Sequence, residues 1–353
     1  MIRPPDRRGS SPRALPAAVP QRVEAARGRA AEAVRRPALR DAPDFPPGAV
    51  EPVREVTAAP RLGLALGGGS ARGWAHIGVL RALEEAGLVP AVVAGCSIGA
   101  VVGGCFAAGR LDRLEAFARS LTRGRVVRLV DPRLPGSGLI AGNRLRRRLL
   151  TDLGERRIET LPIGFGCVAT EYGTGHEIAL TEGSLIESVR ASYAIPGLFP
   201  PVDLGGRLLM DGTLVNPVPV ALARRLGADV VVSVNLNGDT GGPVAREVAV
   251  PPRRRSFLQD VRRRLSGHAP PEPAAALPGI ASVVLDAFNI TQDRISRARL
   301  ERDPPDIAIG PDVAAFGLFD FHRAADGIAL GHRAARAALP QIRAALEGAA
   351  ARM

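Results

Sequence analysis

Residues 91–99, Ala91-Val92-Val93-Ala94-Gly95-Cys96-Ser97-Ile98-Gly99, read as a short β-branched run that feeds a G-x-S-x-G pentapeptide. The uncharged stretch from Ala100 to Ala108 that follows is compatible with a helix. A serine at a strand-to-helix elbow is held in a strained backbone, and glycines two residues to either side remove Cβ atoms that would clash there. The start of the following helix also favours negative charge developing nearby. A bare G-x-S-x-G arises by chance in a chain with 40 glycines, so its weight comes from the flanking strand and helix.

Upstream, the apolar run Leu62 to Leu66 leads into Gly67-Gly68-Gly69-Ser70-Ala71-Arg72-Gly73, which opens a helical pattern at Trp74. Such a loop offers unpaired backbone N–H groups to an anion. A dinucleotide pyrophosphate would call for a carboxylate about 20 residues on, at the end of the second strand. That strand runs instead into Gly95-Cys96-Ser97, and Arg72 stands where the strict G-x-G-x-x-G pattern needs glycine. An oxyanion hole requires only N–H donors beside a nucleophile, and adjacent parallel strands would bring the two loops together.

Further strands are expected at Ile163 to Ala169 and Asp229 to Val234, and helices over Trp74 to Ala86, Pro217 to Leu226, Ser282 to Leu300 and Phe321 to Leu339. Strands alternating with helices imply a parallel or mixed sheet covered on both faces, an α/β fold. The uncharged stretch Ala86 to Gly109 is long enough to span a bilayer. It is dominated by Gly and Ala, however, which drive insertion weakly.

A nucleophilic serine needs a base. Of the five histidines, His76, His176, His268, His322 and His332, none sits in a Gly-flanked loop after a strand, although His322 and His332 come late enough for a Ser…Asp…His order. The other candidate is Asp211, in the turn Asp211-Gly212-Thr213 that follows Arg207-Leu208-Leu209-Met210. A carboxylate in a tight turn beside a low-dielectric cleft can take the serine proton directly.

Taken in order and spacing, Gly67-Gly68-Gly69-Ser70-Ala71-Arg72-Gly73, Gly95-Cys96-Ser97-Ile98-Gly99 and Asp211-Gly212 resemble the patatin-like phospholipases, most of all their bacterial branch related to the neuropathy-target-esterase group. The likeness runs from about Arg61 to Asp239, takes in Ala191-Ser192-Tyr193-Ala194-Ile195-Pro196-Gly197 and resumes over Ser282 to Gly310. It implies a three-layer α/β/α fold with a Ser-Asp dyad, Ser97 as nucleophile and Asp211 as base. The Gly67, Gly68 and Gly69 loop would be the oxyanion hole, with Arg72, Gly95, Gly99 and Gly212 in support. The implied activity is hydrolysis of carboxylic esters of lysophospholipids, phospholipids or related lipids through an acyl-serine, with no cofactor and no metal. Thr213 departs from the Gly or Ala usual in the family's third motif.

The chain has 353 residues, a length that suits about two domains, with 46% hydrophobic and 23% charged residues, which excludes wholesale disorder. Residues 1–58 read as a disordered Arg/Pro/Ala-rich tail, with a short helix around Gln21 to Val34. Residues 59–340 form the catalytic domain, interrupted at about 238–280 by a Pro/Arg-rich insertion, and residues 341–353 are a C-terminal helix end or tail. All 47 basic residues are arginine, and the net charge is +12. Guanidinium groups pair with phosphates, so peripheral contact with an anionic membrane is the expectation for the tail and insertion, whereas 4% aromatics are too sparse for nucleic-acid stacking. A non-catalytic regulator that keeps the scaffold and binds anionic surfaces is the alternative from another class. Cys96, Cys105 and Cys167 lie in apolar runs without C-x-x-C spacing, which points to a reducing cytoplasm rather than disulfides or zinc. The segment Met1-Ile2-Arg3-Pro4-Pro5 has no apolar run behind its charge and does not read as a secretory signal.

Overall fold

The computed structural model describes residues 59–131, 138–237 and 280–353. The basic tail with its expected helix, and the insertion up to residue 279, lie outside them.

Strand β1 (Leu62–Leu66) is buried at every position and is flanked by β2 (Val92–Cys96) and β7 (Val230–Val234), both parallel to it. Beyond β2 lies β3 (Gly164–Glu171), also parallel, and beyond β7 lies β8 (Ile307–Ile309). The sheet turns antiparallel at its other end, where β4 (Glu177–Leu180) and β6 (Arg207–Asp211) pair with β3, and β5 (Val202–Leu204) pairs with β6. The order is β5-β6-β3-β2-β1-β7-β8, with β4 on β3.

Side chains alternate across a strand, and the two faces carry different sizes. Ala65, Ala94, Val168 and Val231 point to one face, against α7 (Val220–Arg225) and Leu300 of α8 (Ile280–Arg302). Leu64, Leu66, Val93 and Phe165 point to the other, against α1 (Trp74–Glu85), α2 (Ile98–Ala107), α6 (Leu185–Ser192) and α9 (Ala324–Ala350). Helices on both sides make the three-layer α/β/α arrangement.

Two expected helices differ in extent. The one expected over Pro217 to Leu226 begins only at Val220, because the Pro217 carbonyl is turned to accept the Gly68 N–H. The last helix passes through Pro340 and reaches Ala350, taking up most of residues 341–353. Its apolar side, with Ala335, Ala338, Ile342 and Ala349 buried, outweighs the hydrogen bond that proline forfeits.

Between α2 and β3, on the Leu64 and Val93 side, lie three helices with no counterpart in the sequence reading. These are α3 (Leu111–Arg119), α4 (Arg123–Leu129) and α5 (Asn143–Leu153). Helix α3 buries Leu111, Leu114 and Ala118, and α5 turns Leu149 and Leu153 inward from a run of arginines. The carboxylate that satisfies the start of α5 comes from a distance: Asp131 accepts from the N–H groups of Gly142 and Asn143, each at 2.9 Å. Among the described residues no helix is long and apolar enough to cross a membrane, and the stretch Ala86 to Gly109 divides into a turn, β2 and α2.

Candidate active site

Strand register fixes the site before any side chain is considered, through the parallel β2–β3 pair and the antiparallel β3–β6 pair. Cys96, the last residue of β2, stands opposite Val168 on β3, and Asp211, the last residue of β6, stands opposite the next residue, Ala169. The serine after Cys96 and the carboxylate of Asp211 therefore meet beyond the strand ends. Ser97 Oγ donates to Asp211 Oδ2 at 2.8 Å.

Ser97 has φ 53° and ψ −120°, a backbone that costs about 1–3 kcal/mol and must be held by its surroundings. Its N–H donates to Ser192 Oγ at 2.9 Å, and Ser192 in turn donates to the Val168 carbonyl at 2.7 Å, which ties the elbow to β3. Ser192 lies inside the Ala191 to Gly197 segment, so its position was legible while its task was not. The flanking glycines act by close approach. A Cβ on Gly99 would collide with the Leu66 carbonyl, and one on Gly95 would lie 2.5 Å from Ala100 Cα.

Asp211 is fully buried. Its second oxygen, Oδ1, accepts from the Thr213 N–H at 2.8 Å and from Thr213 Oγ at 2.6 Å, which leaves Oδ2 facing the serine. Burial pushes the Asp211 carboxyl up to about 6, and the bonds from Thr213 and Ser97 act against that rise. The third-motif threonine is thus an added donor to the carboxylate.

None of the described histidines bonds to the pair. His322 Nε2 lies 3.3 Å from Arg123 Nε, and His332 Nε2 meets Glu85 at 2.9 Å. His176 is exposed, and His268 lies outside the described residues. A Ser-His triad through His322 or His332 is therefore not what the geometry forms. His76 is wholly buried with Nε2 2.8 Å from the Gly67 carbonyl, and burial pulls it down to about 4, so it is a neutral brace under the glycine loop.

The expectation for that loop needs correction. The Gly67 N–H extends the β1–β7 pairing by donating to the Val234 carbonyl, and the Gly68 N–H donates to the Pro217 carbonyl in the loop before α7, each at 3.0 Å. Neither amide is free to serve as a donor. Among the described residues the N–H groups of Gly69 and Ser70 have no protein acceptor, nor has that of Ile98 in the first turn of α2, and these remain for an anion. Gly68 matters for its missing side chain: a Cβ there would collide with Thr213 Cγ2 and lie 3.6 Å from Ser97 Cβ. Arg72 braces the loop from outside through its Nη1 to Asn237 Oδ1, while Asn237 Nδ2 donates to the Gly68 carbonyl, both at 3.3 Å.

Ser97 opens onto an apolar cleft. Ile98, Val101 and Cys105 of α2 line one wall, and Leu114, Phe117, Val126, Leu145 and Leu149 of α3, α4 and α5 line another. Cys105 stays a protonated apolar wall residue, as burial pushes its thiol up to about 12. The sequence reading contained no sign of this chamber.

The family model described as Patatin-like phospholipase matches residues 64–224. An uncharacterized NTE family protein of Mycobacterium tuberculosis is 34% identical over 332 residues, covering 80% of this chain and 92% of its own. A lysophospholipase of Emericella nidulans is 34% identical over 190 residues, which is 50% of this chain and 12% of that protein. Among solved structures, human GIVD cytosolic phospholipase A2 in complex with a methyl gamma-linolenyl fluorophosphonate inhibitor aligns with a TM-score of 0.42 and 13% identity, over 84% of this chain and 60% of the other.

Proposed function

The chain belongs to the patatin-like phospholipase family, and on that premise we propose that it hydrolyses carboxylic esters of single-chain and related phospholipids through an acyl-Ser97 intermediate, with Asp211 as the base. The observation that carries this reading is the 2.8 Å bond from Ser97 Oγ to the buried Asp211 Oδ2 at the foot of an apolar cleft.

The acyl chain lies in the cleft with its ester carbonyl over Ser97. As Oγ attacks, its proton passes to Oδ2, which the two Thr213 bonds on Oδ1 leave available. The tetrahedral oxyanion faces the free N–H groups of Gly69, Ser70 and Ile98, with the start of α2 adding its dipole. Collapse expels the alcohol, which takes the proton back from Asp211. Water then repeats the sequence on the acyl-enzyme and releases the fatty acid. Arg72, Gly95, Gly99 and Gly212 support this by fixing the loop and elbow rather than by touching substrate.

The lysophospholipid choice follows the described activity of the fungal relative. An alkyl chain also suits a cleft lined by Ile98, Val101 and Cys105 of α2 and by Leu114, Phe117 and Leu149 of α3 and α5. The wild-type chain should release fatty acid from lysophosphatidylcholine and take up a fluorophosphonate probe on Ser97. The Ser97→Ala variant should lose both, with a rate loss on the order of 10⁴-fold or more. Hydrolysis near the wild-type rate in that variant would sink the dyad, and an unlabelled, inactive wild type would favour a regulator on the same scaffold.

A further inference from the structure

The cleft reaches the surface at two side chains that line it yet remain exposed, Val130 at 37% and Phe319 at 49%. Two more exposed apolar residues adjoin this mouth. Val127 (70%) follows the lining residue Val126 on α4, and Leu139 (61%) precedes the lining residue Ile140. Helix α4 buries none of its own residues.

The same face is cationic. Arg123, Arg125 and Arg128 lie on α4, and Arg144 and Arg147 on α5. Among the described residues none of the five pairs with a carboxylate: Arg123 meets His322, Arg125 the Ser120 carbonyl, and Arg144 the Arg128 and Val130 carbonyls. Their neighbours Arg146 and Arg148 are paired, with Glu187 and Asp152. Asp131, the acid between α4 and α5, spends its oxygens on the N–H groups of Gly142, Asn143 and Arg144.

We propose that the α4–α5 face docks on an anionic lipid bilayer and presents the cleft mouth to it. Unpaired guanidinium forks suit lipid phosphates, and apolar side chains set among them suit the boundary between headgroups and acyl chains. A nucleic-acid surface would leave Val127, Leu139 and Phe319 without a partner. The inference rests on the hydrolase reading only for the direction in which the mouth faces, and its test reads binding separately from turnover.

The test is sedimentation of the full chain with vesicles of phosphatidylcholine alone and of phosphatidylcholine with one quarter phosphatidylglycerol, at low and high salt. The variants are the triple Arg123→Gln, Arg125→Gln and Arg128→Gln, the single Val127→Glu, and a control Arg294→Gln with Arg302→Gln on α8, which packs against the other side of the sheet. At about fivefold per arginine, the triple variant should lose roughly 100-fold in partitioning to the anionic vesicles. Val127→Glu should lose affinity as well, the control should stay within about twofold, and high salt should weaken the wild type. Hydrolysis of a water-soluble acetate ester should be unchanged in all three. Triple-variant binding equal to wild type, an equal loss in the control, or binding indifferent to lipid charge would each overturn the docking face. Binding as expected with no ester hydrolysis in the wild type would leave the docking face standing and remove the hydrolase reading.

Discussion

The two walls that meet at Ser97 are built by different physics. On the sheet side, Asp211 is fully buried and each of its oxygens is committed, Oδ2 to Ser97 and Oδ1 to Thr213, at 2.6–2.8 Å. On the helical side, α3, α4 and α5 offer Leu114, Phe117, Val126, Leu145 and Leu149, apolar side chains that would meet a substrate through dispersion and the exclusion of water alone. Hydrogen bonds weaken steeply with distance and angle, whereas apolar contact tolerates repacking. A change on the sheet side should therefore act on every ester alike, and a change on the helical side should act according to chain length.

The strongest way to break this contrast is Gly68→Val. The new side chain would drive into Thr213 Cγ2, the residue that holds Asp211, and crowd Ser97 Cβ from 3.6 Å. We expect kcat to fall about 10²-fold or more, the scale of misplacing reacting groups by about 1 Å, and to fall equally for acetate and dodecanoate esters. Circular dichroism would establish that the sheet survives. A loss that grew with acyl length would mean that the glycine loop shapes the chain site instead.

Val101→Trp tests the apolar lining from α2. Val101 lines the cleft one turn along α2 from Ser97, and an indole there would take space from the alkyl chain without reaching Asp211. Long-chain esters should lose roughly 10- to 100-fold in kcat/KM, while acetate ester turnover stays within about threefold. Equal losses for both substrates would show that the cleft wall and the dyad are one mechanical unit.

The same contrast explains what could be read without coordinates. Backbone demands leave local marks: the turn at Ser97 needs Gly95 and Gly99, and the close approach of the loop to Thr213 needs Gly68, so these motifs appeared as short fixed spacings. Parallel strands buried on both faces appeared as apolar runs, Leu62–Leu66 and Val230–Val234 among them. Which loop amides are free was not legible, because that depends on Val234 and Pro217 accepting from Gly67 and Gly68, 167 and 149 residues away along the chain. Nor was the chamber. Leu145, Leu149 and Leu153 do recur at helical spacing, but they sit among arginines, and the cap on their helix is Asp131. An apolar wall can be assembled from many sequences, so no single spacing identifies it.

The smallest expected effect sharpens the sheet side. Thr213→Val keeps the volume of the side chain and removes its hydroxyl, while the backbone N–H of residue 213 still donates to Asp211 Oδ1. The hydroxyl bond favours the ionised carboxylate, so its loss should raise the Asp211 pKa from a starting point already lifted by burial to about 6. A base works only when unprotonated, so activity is present above that value and falls as the pH drops through it. The acid limb of kcat/KM should therefore lie near 6 in the wild type and move toward neutrality in Thr213→Val, by up to about one pH unit for a charge-assisted hydrogen bond partly replaced by its neighbours. At pH 8 the two enzymes should differ by less than about threefold, since both carboxylates are then ionised. An unmoved limb with a uniformly lower rate would assign the hydroxyl to orienting Asp211 rather than to setting its charge.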